Sequence, residues 1–460
     1  MNPKHALVLG AGFRGLAAAH RLIDLGLEVT VLERGPHAGG VMNGLEWDAF
    51  LLDLGCHLFD NTDREMTDFV VSMAGGAHLF HSVDVRYGTV FAGELTEGLA
   101  VPDLQALPED AAARILSDFI RALAAESDVA APETLDACIR SRFGSEAGRY
   151  LNAMAAKVYA SNCDELDACA IDIGLFKRIR FLPDRSSSVL KQIPEADARL
   201  AVSSAARPLA HYPNASPDFG RNFYPSQGGM RGFVRAAGDH LLKRGGRVHT
   251  GVGDIELSVT HRSIAVQTES TGSIEGALVV SALAPEVLEQ SLLGTTRLRN
   301  LIRPVPMVLF YFKAAAADLT GMSYVHLFDT DCDSFRISAP GLYGRQADEH
   351  GRTYICVECP TTMSSRLWED TEAHIEAVWD EVLLAGIVRP GARPSASRVL
   401  KTPKSYSVPL AGYAVAEAGV AAELAEATPQ LFNLSSLAFS KLAILGDITT
   451  GLSQIIESLE

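Results

Sequence analysis

His5-Ala6-Leu7-Val8-Leu9-Gly10-Ala11-Gly12-Phe13-Arg14-Gly15 is the stretch that decides the fold. Its first five residues form a short apolar run of the kind that makes a fully buried parallel strand. The glycine pattern follows at once. An Ala-rich helical stretch then runs from Leu16 to Leu25, with Gly26 as its C-cap. Residues 28–32 read as a second strand, with Glu33 at its end. Gly10 permits a tight turn, Gly12 lets a pyrophosphate approach the backbone, and Gly15 allows close helix–strand contact. The helix N-terminus offers N–H groups and a positive dipole end to phosphates. Glu33 lies 21 positions after Gly12, where a carboxylate can accept from ribose hydroxyls. A lone glycine pattern would be weak evidence; strand, helix, second strand and terminal acid together specify a dinucleotide site.

The rest of the chain sets the bounds. At 460 residues it is too long for one ordinary core, so two or three packed domains are expected. A hydrophobic fraction of 47% with 21% charged residues is that of a globular protein with a large interior. Forty basic against 56 acidic residues leave a formal charge of −16, which argues against nucleic acid or anionic lipid as main partner. Seven cysteines without a regular framework read as reduced thiols. No apolar run approaches the ~18–20 residues of a membrane span. The start runs straight into a strand, leaving no room for a signal peptide, so a cytoplasmic location is expected.

Beyond Glu33 the chain continues Glu33-Arg34 to Gly39-Gly40-Val41, within the string ERGPHAGGVMNG. Here it resembles the FAD-binding amine oxidase superfamily, which includes protoporphyrinogen oxidases, phytoene desaturases and UDP-galactopyranose mutases. The resemblance implies that Glu33, Arg34, Gly39 and Gly40 wrap the ribose and pyrophosphate of FAD. Glycines there let backbone N–H groups close around an anion with no Cβ in the way. The segment Leu52-Asp53-Leu54-Gly55-Cys56-His57-Leu58-Phe59-Asp60 is similar to the one the family places beside the isoalloxazine ring, which puts His57 near the flavin. A hydrogen-bonded structural histidine is the plainer reading of the same residue.

Two later segments carry the same resemblance. Phe223-Tyr224-Pro225, Gly228-Gly229-Met230, a helix over 232–242 and a strand from Arg247 are similar to the family's return to the FAD domain. Val252 matches the position whose backbone meets the adenine, and residues 277–282 read as another buried strand. At the C-terminus, residues 442–445 read as a strand, with Gly446-Asp447 at its end. The run from Gly451 through Leu452 and Ser453 resembles the final helix of the protoporphyrinogen oxidases. In that family such a helix points its N-terminus at the flavin's pyrimidine edge, and Asp447 would bond the ribityl chain. The usual final Gly is Leu459, and the link after Asp447 is short.

The fold class that follows is α/β: a discontinuous Rossmann-like FAD-binding domain with an inserted α+β substrate domain. The expected boundaries are 1–87, 216–290 and 436–460 for the first, and 88–215 with 291–435 for the second. Residues 308–313 and 354–357 read as strands, and 111–125 and 374–384 as amphipathic helices. Residues 184–220, rich in Ser, Pro and Ala, read as a long surface loop or lid. Phe335-Arg336-Ile337-Ser338 and Tyr406 with Pro409 resemble flavoproteins found among polysaccharide and nucleotide-sugar genes, which implies that Arg336 and Arg180 offer forks to a phosphate or carboxylate, against the plainer reading of surface ion pairs. Tyr224 and Tyr406 would line aromatic walls or simply pack. The catalytic candidates are therefore His57, Arg336 and Tyr406, with no metal site. Cys356-Val357-Glu358-Cys359 has redox or zinc spacing but lies in a strand with no partner pair. Asp329, Asp331 and Asp333 mimic a calcium loop, yet Ser334 replaces the turn Gly and Pro340 the closing acid.

The leading functional expectation is an FAD-dependent oxidoreductase acting on a small molecule such as an amine or a nucleotide sugar. A non-redox nucleotide-sugar mutase is the alternative, and a flavin-binding scaffold without catalysis a third.

Overall fold

The computed structural model describes residues 5–125, 131–203, 212–259, 263–434 and 441–459, with backbone alone at 442–443 and 453–459. In chain order, the elements that position the site begin with β1 (His5–Leu9), α1 (Phe13–Asp24) and β2 (Glu28–Glu33). Next come β3 (Arg86–Phe91), β4 (Glu94–Glu97) and three helices, α2 (Glu109–Ala124), α3 (Leu135–Phe143) and α4 (Ser145–Tyr159). The chain continues with α5 (Gly229–Lys243), β5 (Arg247–Thr250), β6 (Leu278–Ser281), β7 (Ile302–Ala315) and β8 (Met322–Leu327). The last are β9 (Arg336–Ser338), β10 (Arg352–Pro360), α6 (Ile375–Leu384), β11 (Ala396–Pro409), β12 (Leu431–Asn433) and α7 (Lys441–Leu459).

A five-stranded parallel sheet, in the order β5-β2-β1-β6-β12, forms the nucleotide end. Its central strand is apolar on both sides because both faces are covered. On one face Ala6 and Val8 pack with α1, α5 and α7; on the other Leu7 and Leu9 meet Val252, Val266, Tyr413 and Val420. Within α1, Leu16 and Leu22 are completely buried, each contributing roughly 2 kcal/mol of transfer free energy. The helix ends where Gly26, at φ +83°, takes the left-handed conformation and Leu27 N–H bonds Leu22 O at 3.0 Å.

The second large sheet has seven strands, in the order β11-β7-β10-β9-β8-β3-β4. Strand alternation gives it two unlike faces. Val90, Val325, Leu327, Ile337, Ile355 and Val357 point one way and pack against Val378, Trp379 and Val382 of α6. The other face carries polar and aromatic residues in two rows set by register. One row runs Thr89–His326–Arg336–Glu358, the other Tyr87–Tyr324–Ser338–Cys356–Tyr311.

Three expectations need correction. Residues 442–445 are not a strand: α7 is one helix from Lys441. Ile444, Leu445, Ile448 and Leu452 are buried at helical spacing, so a 3.6-residue period outweighs the short apolar run. Residues 184–220 are not wholly loop. Asp184–Leu190 and Pro194–Asp197 are helical, each begun rather than broken by a proline, and Ala196 and Leu200 enter the core of the α2–α4 helices. Residues 204–211 of that stretch lie outside the described residues. The 374–384 helix starts at Ile375, after a tight turn of 3-10 helix over Thr371–His374.

Candidate active site

The glycine turn between β1 and α1 is built for close approach. Gly10 holds φ +94°, and a Cβ on Gly15 would stand 1.8 Å from Gly10 O, so neither position accepts a larger residue. Gly12 differs: a Cβ there would meet nothing within 4 Å, leaving open space in front of the helix start. Gly12, the N-cap residue, supplies no side-chain cap to the first N–H groups of that helix. Glu33 accepts from Ala11 N–H at 2.7 Å and Gly35 N–H at 2.8 Å, tying the turn to the end of β2. Gly39 closes over it, with its N–H on Ala11 O at 2.8 Å and φ +120°. Gly40 lies against Gly12, while Arg34 is exposed. Val252 is buried, and its N–H bonds Glu33 O at 3.1 Å. This cradle at the carboxyl ends of parallel strands fits the adenosine diphosphate half of FAD.

From the cradle the site continues through Phe13, whose ring lies 6.3 Å from Phe59, into the His57 segment. Lys441 at the start of α7 donates to Leu58 O at 3.0 Å and sits 5.6 Å from the Phe59 ring centroid. Burial lowers the Lys441 pKa, and burial together with Lys441 and Arg336 pushes His57 down to about 3. His57 is therefore neutral. One ring nitrogen bonds the Leu54 backbone; Nε2 is buried without a partner among the described residues. A neutral ring held at one nitrogen leaves the other as a fixed lone pair. Such an orphan is costly unless a bound group completes it, which fits the flavin ring or its substrate.

Behind this segment Asp53 is buried. It accepts from Tyr224 Oη at 2.5 Å and Met230 N–H at 3.1 Å, pinning the segment to the start of α5. Burial raises its pKa to about 6, partly offset by the Tyr224 bond. Tyr224 thus supports Asp53 rather than forming a wall. Burial likewise pushes the Cys56 thiol up to about 11, leaving it uncharged.

Arg336 comes to the same place from the sheet. Its guanidinium meets both oxygens of Glu358 at 2.6 Å, and Glu358 also accepts from Cys56 N–H at 3.0 Å. Burial disfavours the Arg336 charge, but Glu358 more than offsets this and raises its pKa. Tyr406 is nearby, with its hydroxyl donated to Val158 O. Arg180 is elsewhere: it bonds Asp103 at 2.7 Å and Asp184 at 3.1 Å, the ion-pair reading of that residue. Cys356 and Cys359, three apart on β10, face opposite sides of the sheet and cannot act as a pair. Asp329 accepts from Ala92 and Gly93 N–H and closes the β3–β4 turn.

At the C-terminus Gly446 and Asp447 lie in α7, not at a strand end. Asp447 is exposed and attracts Arg14 in the first turn of α1. The Leu452 side chain is fully buried in the core, and the Ser453 side chain lies outside the described residues. Sequence reasoning missed Glu358, His326, Thr89 and Lys441. For the first three the signal was alternation: the site-facing residues of β3, β8 and β10 interrupt apolar strands at every second position.

The family described as "flavin containing amine oxidoreductase" matches residues 15–390. A 4,4'-diaponeurosporene oxygenase of Staphylococcus haemolyticus (strain JCSC1435) is 34% identical over 80 residues, 15% of this chain and 16% of the relative. A 4,4'-diapophytoene desaturase of Staphylococcus aureus (strain COL) is 50% identical over 48 residues, 10% of each. The chain thus matches about a sixth or less of these relatives' own length. Reduced UDP-galactopyranose mutase superposes with a TM-score of 0.72 at 15% identity, covering 98% of this chain and 94% of the other. Putrescine oxidase with bound putrescine gives 0.59 at 13% identity, with 99% of each covered. At such identities the superpositions establish a shared fold.

Proposed function

This chain belongs to the flavin-containing amine oxidoreductase family, with FAD as its cofactor, and on that premise we propose that it oxidises a small organic substrate. The chemistry FAD supplies when bound is acceptance of a hydride at N5. The chain's own residues position and exclude water. The Gly10–Gly15 turn, Glu33 and the Gly39–Gly40 loop hold the nucleotide end. His57 offers Nε2 as a hydrogen-bond acceptor too weakly basic to carry a proton at neutral pH. Arg336, locked by Glu358, fixes the loop that carries His57. The expected division of the chain into nucleotide and substrate domains is part of this reading.

One observation favours oxidation over the mutase reading. A nucleotide-sugar diphosphate calls for free guanidinium forks, whereas Arg336 and Arg180 are both engaged by carboxylates. The testing experiment is anaerobic flavin absorbance of the purified protein with amines, nucleotide sugars and porphyrinogens. Bleaching by one class, reversed by air, supports the proposal. Turnover of a nucleotide sugar only after dithionite reduction overturns it in favour of the mutase.

A further inference from the structure

The row Thr89–His326–Arg336 crosses three adjacent strands on the site-facing side of the seven-stranded sheet. Thr89 and His326 are each less than a twentieth exposed. Thr89 Oγ1 and His326 Nδ1 are both buried with no partner among the described residues. Unpaired buried polar atoms on neighbouring in-register positions are expensive, of order 1–3 kcal/mol apiece, and folds retain few of them without use. Beside them Tyr87 and Tyr324 stack at 5.3 Å and 10°, giving an aromatic flank. His57 Nε2 is likewise buried without a partner among the described residues, and His57 and His326 both feel the Arg336 charge.

The carboxylates around these atoms are already engaged. Arg336 is bound to Glu358, Asp53 to Tyr224, and Asp60 to Arg221 and Asn222. Two partly buried lysines are held by backbone carbonyls instead: Lys441 donates to Leu58 O, and Lys157 to Leu327 O, next to His326, and to Asp329 O. We infer that Thr89 and His326 form a recognition subsite for the hydroxyl or carbonyl group of an uncharged, flat-bodied substrate, and that the site discriminates against ammonium groups. A hydroxyl both donates and accepts, so it can complete a histidine lone pair and a threonine hydroxyl together. An ammonium group would bring its desolvation cost to a place where the carboxylates of Glu358 and Asp53 are already engaged and two lysines repel it. This subsite deepens the oxidoreductase reading and rests on it for its substrate.

Two probes of one shape separate neutral from cationic: benzyl alcohol and benzylammonium. Their binding to the FAD-loaded protein is measured by titration calorimetry at pH 7.5, with no turnover required, so the result stands apart from whether either of them bleaches the flavin. The alcohol is expected to bind at least about tenfold more tightly than the ammonium ion. The isosteric Thr89→Val and the shape-conserving His326→Gln should each change alcohol affinity by about three- to tenfold and leave the weak ion binding unmoved. Tighter binding of benzylammonium than of the alcohol overturns the inference. So does unchanged alcohol affinity in both variants, provided circular dichroism shows them folded. Should one variant unfold, the other and the probe order still decide.

Discussion

Arg336 and Glu358 face each other across neighbouring strands through two hydrogen bonds of 2.6 Å, Nε to Oε1 and Nη2 to Oε2. Glu358 also lies against Gly55, where a Cβ would come within 2.9 Å of its carboxyl carbon. The pair is thus a clamp between the sheet and the loop that carries His57. A bidentate pair of this kind fixes direction as well as distance.

Removing one charge should expose both functions of the clamp. Glu358→Gln keeps the shape but leaves Arg336 uncompensated, at a cost of about 3 kcal/mol or more in unfolding free energy, read from urea midpoints. The freed guanidinium should also admit anions, tightening benzoate binding by about tenfold in calorimetry. Unchanged stability would mean that the guanidinium is solvated well enough to need no partner.

The two glycines of the turn should fail in different ways. In Gly15→Ala the new Cβ would overlap Gly10 O at 1.8 Å, so the turn itself must open and the protein should lose both FAD and thermal stability. Gly12 has φ −72° and nothing within 4 Å of a Cβ, so Gly12→Ala should fold normally. It should nonetheless bind FAD at least about tenfold more weakly, because the methyl occupies the space the pyrophosphate needs. Flavin retention on gel filtration, set beside melting temperature, separates the two.

The nucleotide end was legible because local chemistry dictates it. Gly10, Gly15 and Gly39 are required by close contacts and positive φ, and β1 by burial on both faces, all within one short span. The second half of the site was not legible in that way. Glu358 lies more than 300 residues from the Cys56 N–H it accepts, and it stood in the sequence between two cysteines that drew attention to themselves. Register between strands, which no local pattern carries, sets Thr89, His326 and Arg336 side by side. The C-terminal misreading has the opposite cause. Residues 442–445 are apolar enough for a strand, and only the wider spacing of Leu445, Ile448 and Leu452 reveals the helix.

Tyr406 tests how far proximity implies chemistry. Its hydroxyl donates to Val158 O, joining β11 to α4, although its ring lies near the Arg336–Glu358 pair. Tyr406→Phe should cost about 1 kcal/mol of stability and leave kcat within about twofold, with any effect falling on KM. A hundredfold loss of kcat at unchanged stability would make the hydroxyl a reacting group.

Two buried groups, one against the middle of α5 and one at its start, should give this protein opposing responses to acid. His20, completely enclosed, bonds Ala237 O at 3.0 Å. Burial chiefly, with Arg244 and His240 adding, lowers its pKa to about 4 from 6.5. The unfolded chain takes up this proton at 6.5, where the folded chain refuses it. The His20 contribution is therefore complete above pH 6.5 and is lost as pH falls through 6.5 towards 4. Asp53 runs the other way: burial raises it to about 6 from 3.8, so the folded chain holds a proton that the unfolded chain has released. Its contribution is complete below pH 3.8 and is lost as pH rises from there through 6. Each shift corresponds to roughly 3 kcal/mol. His57, depressed by burial, has the same sign as His20. Urea midpoints between pH 4 and 7 should therefore rise more steeply with pH in Asp53→Asn than in the unmodified chain, and less steeply in His20→Gln. Parallel slopes in all three would show that neither group is held away from its ordinary proton affinity by the fold.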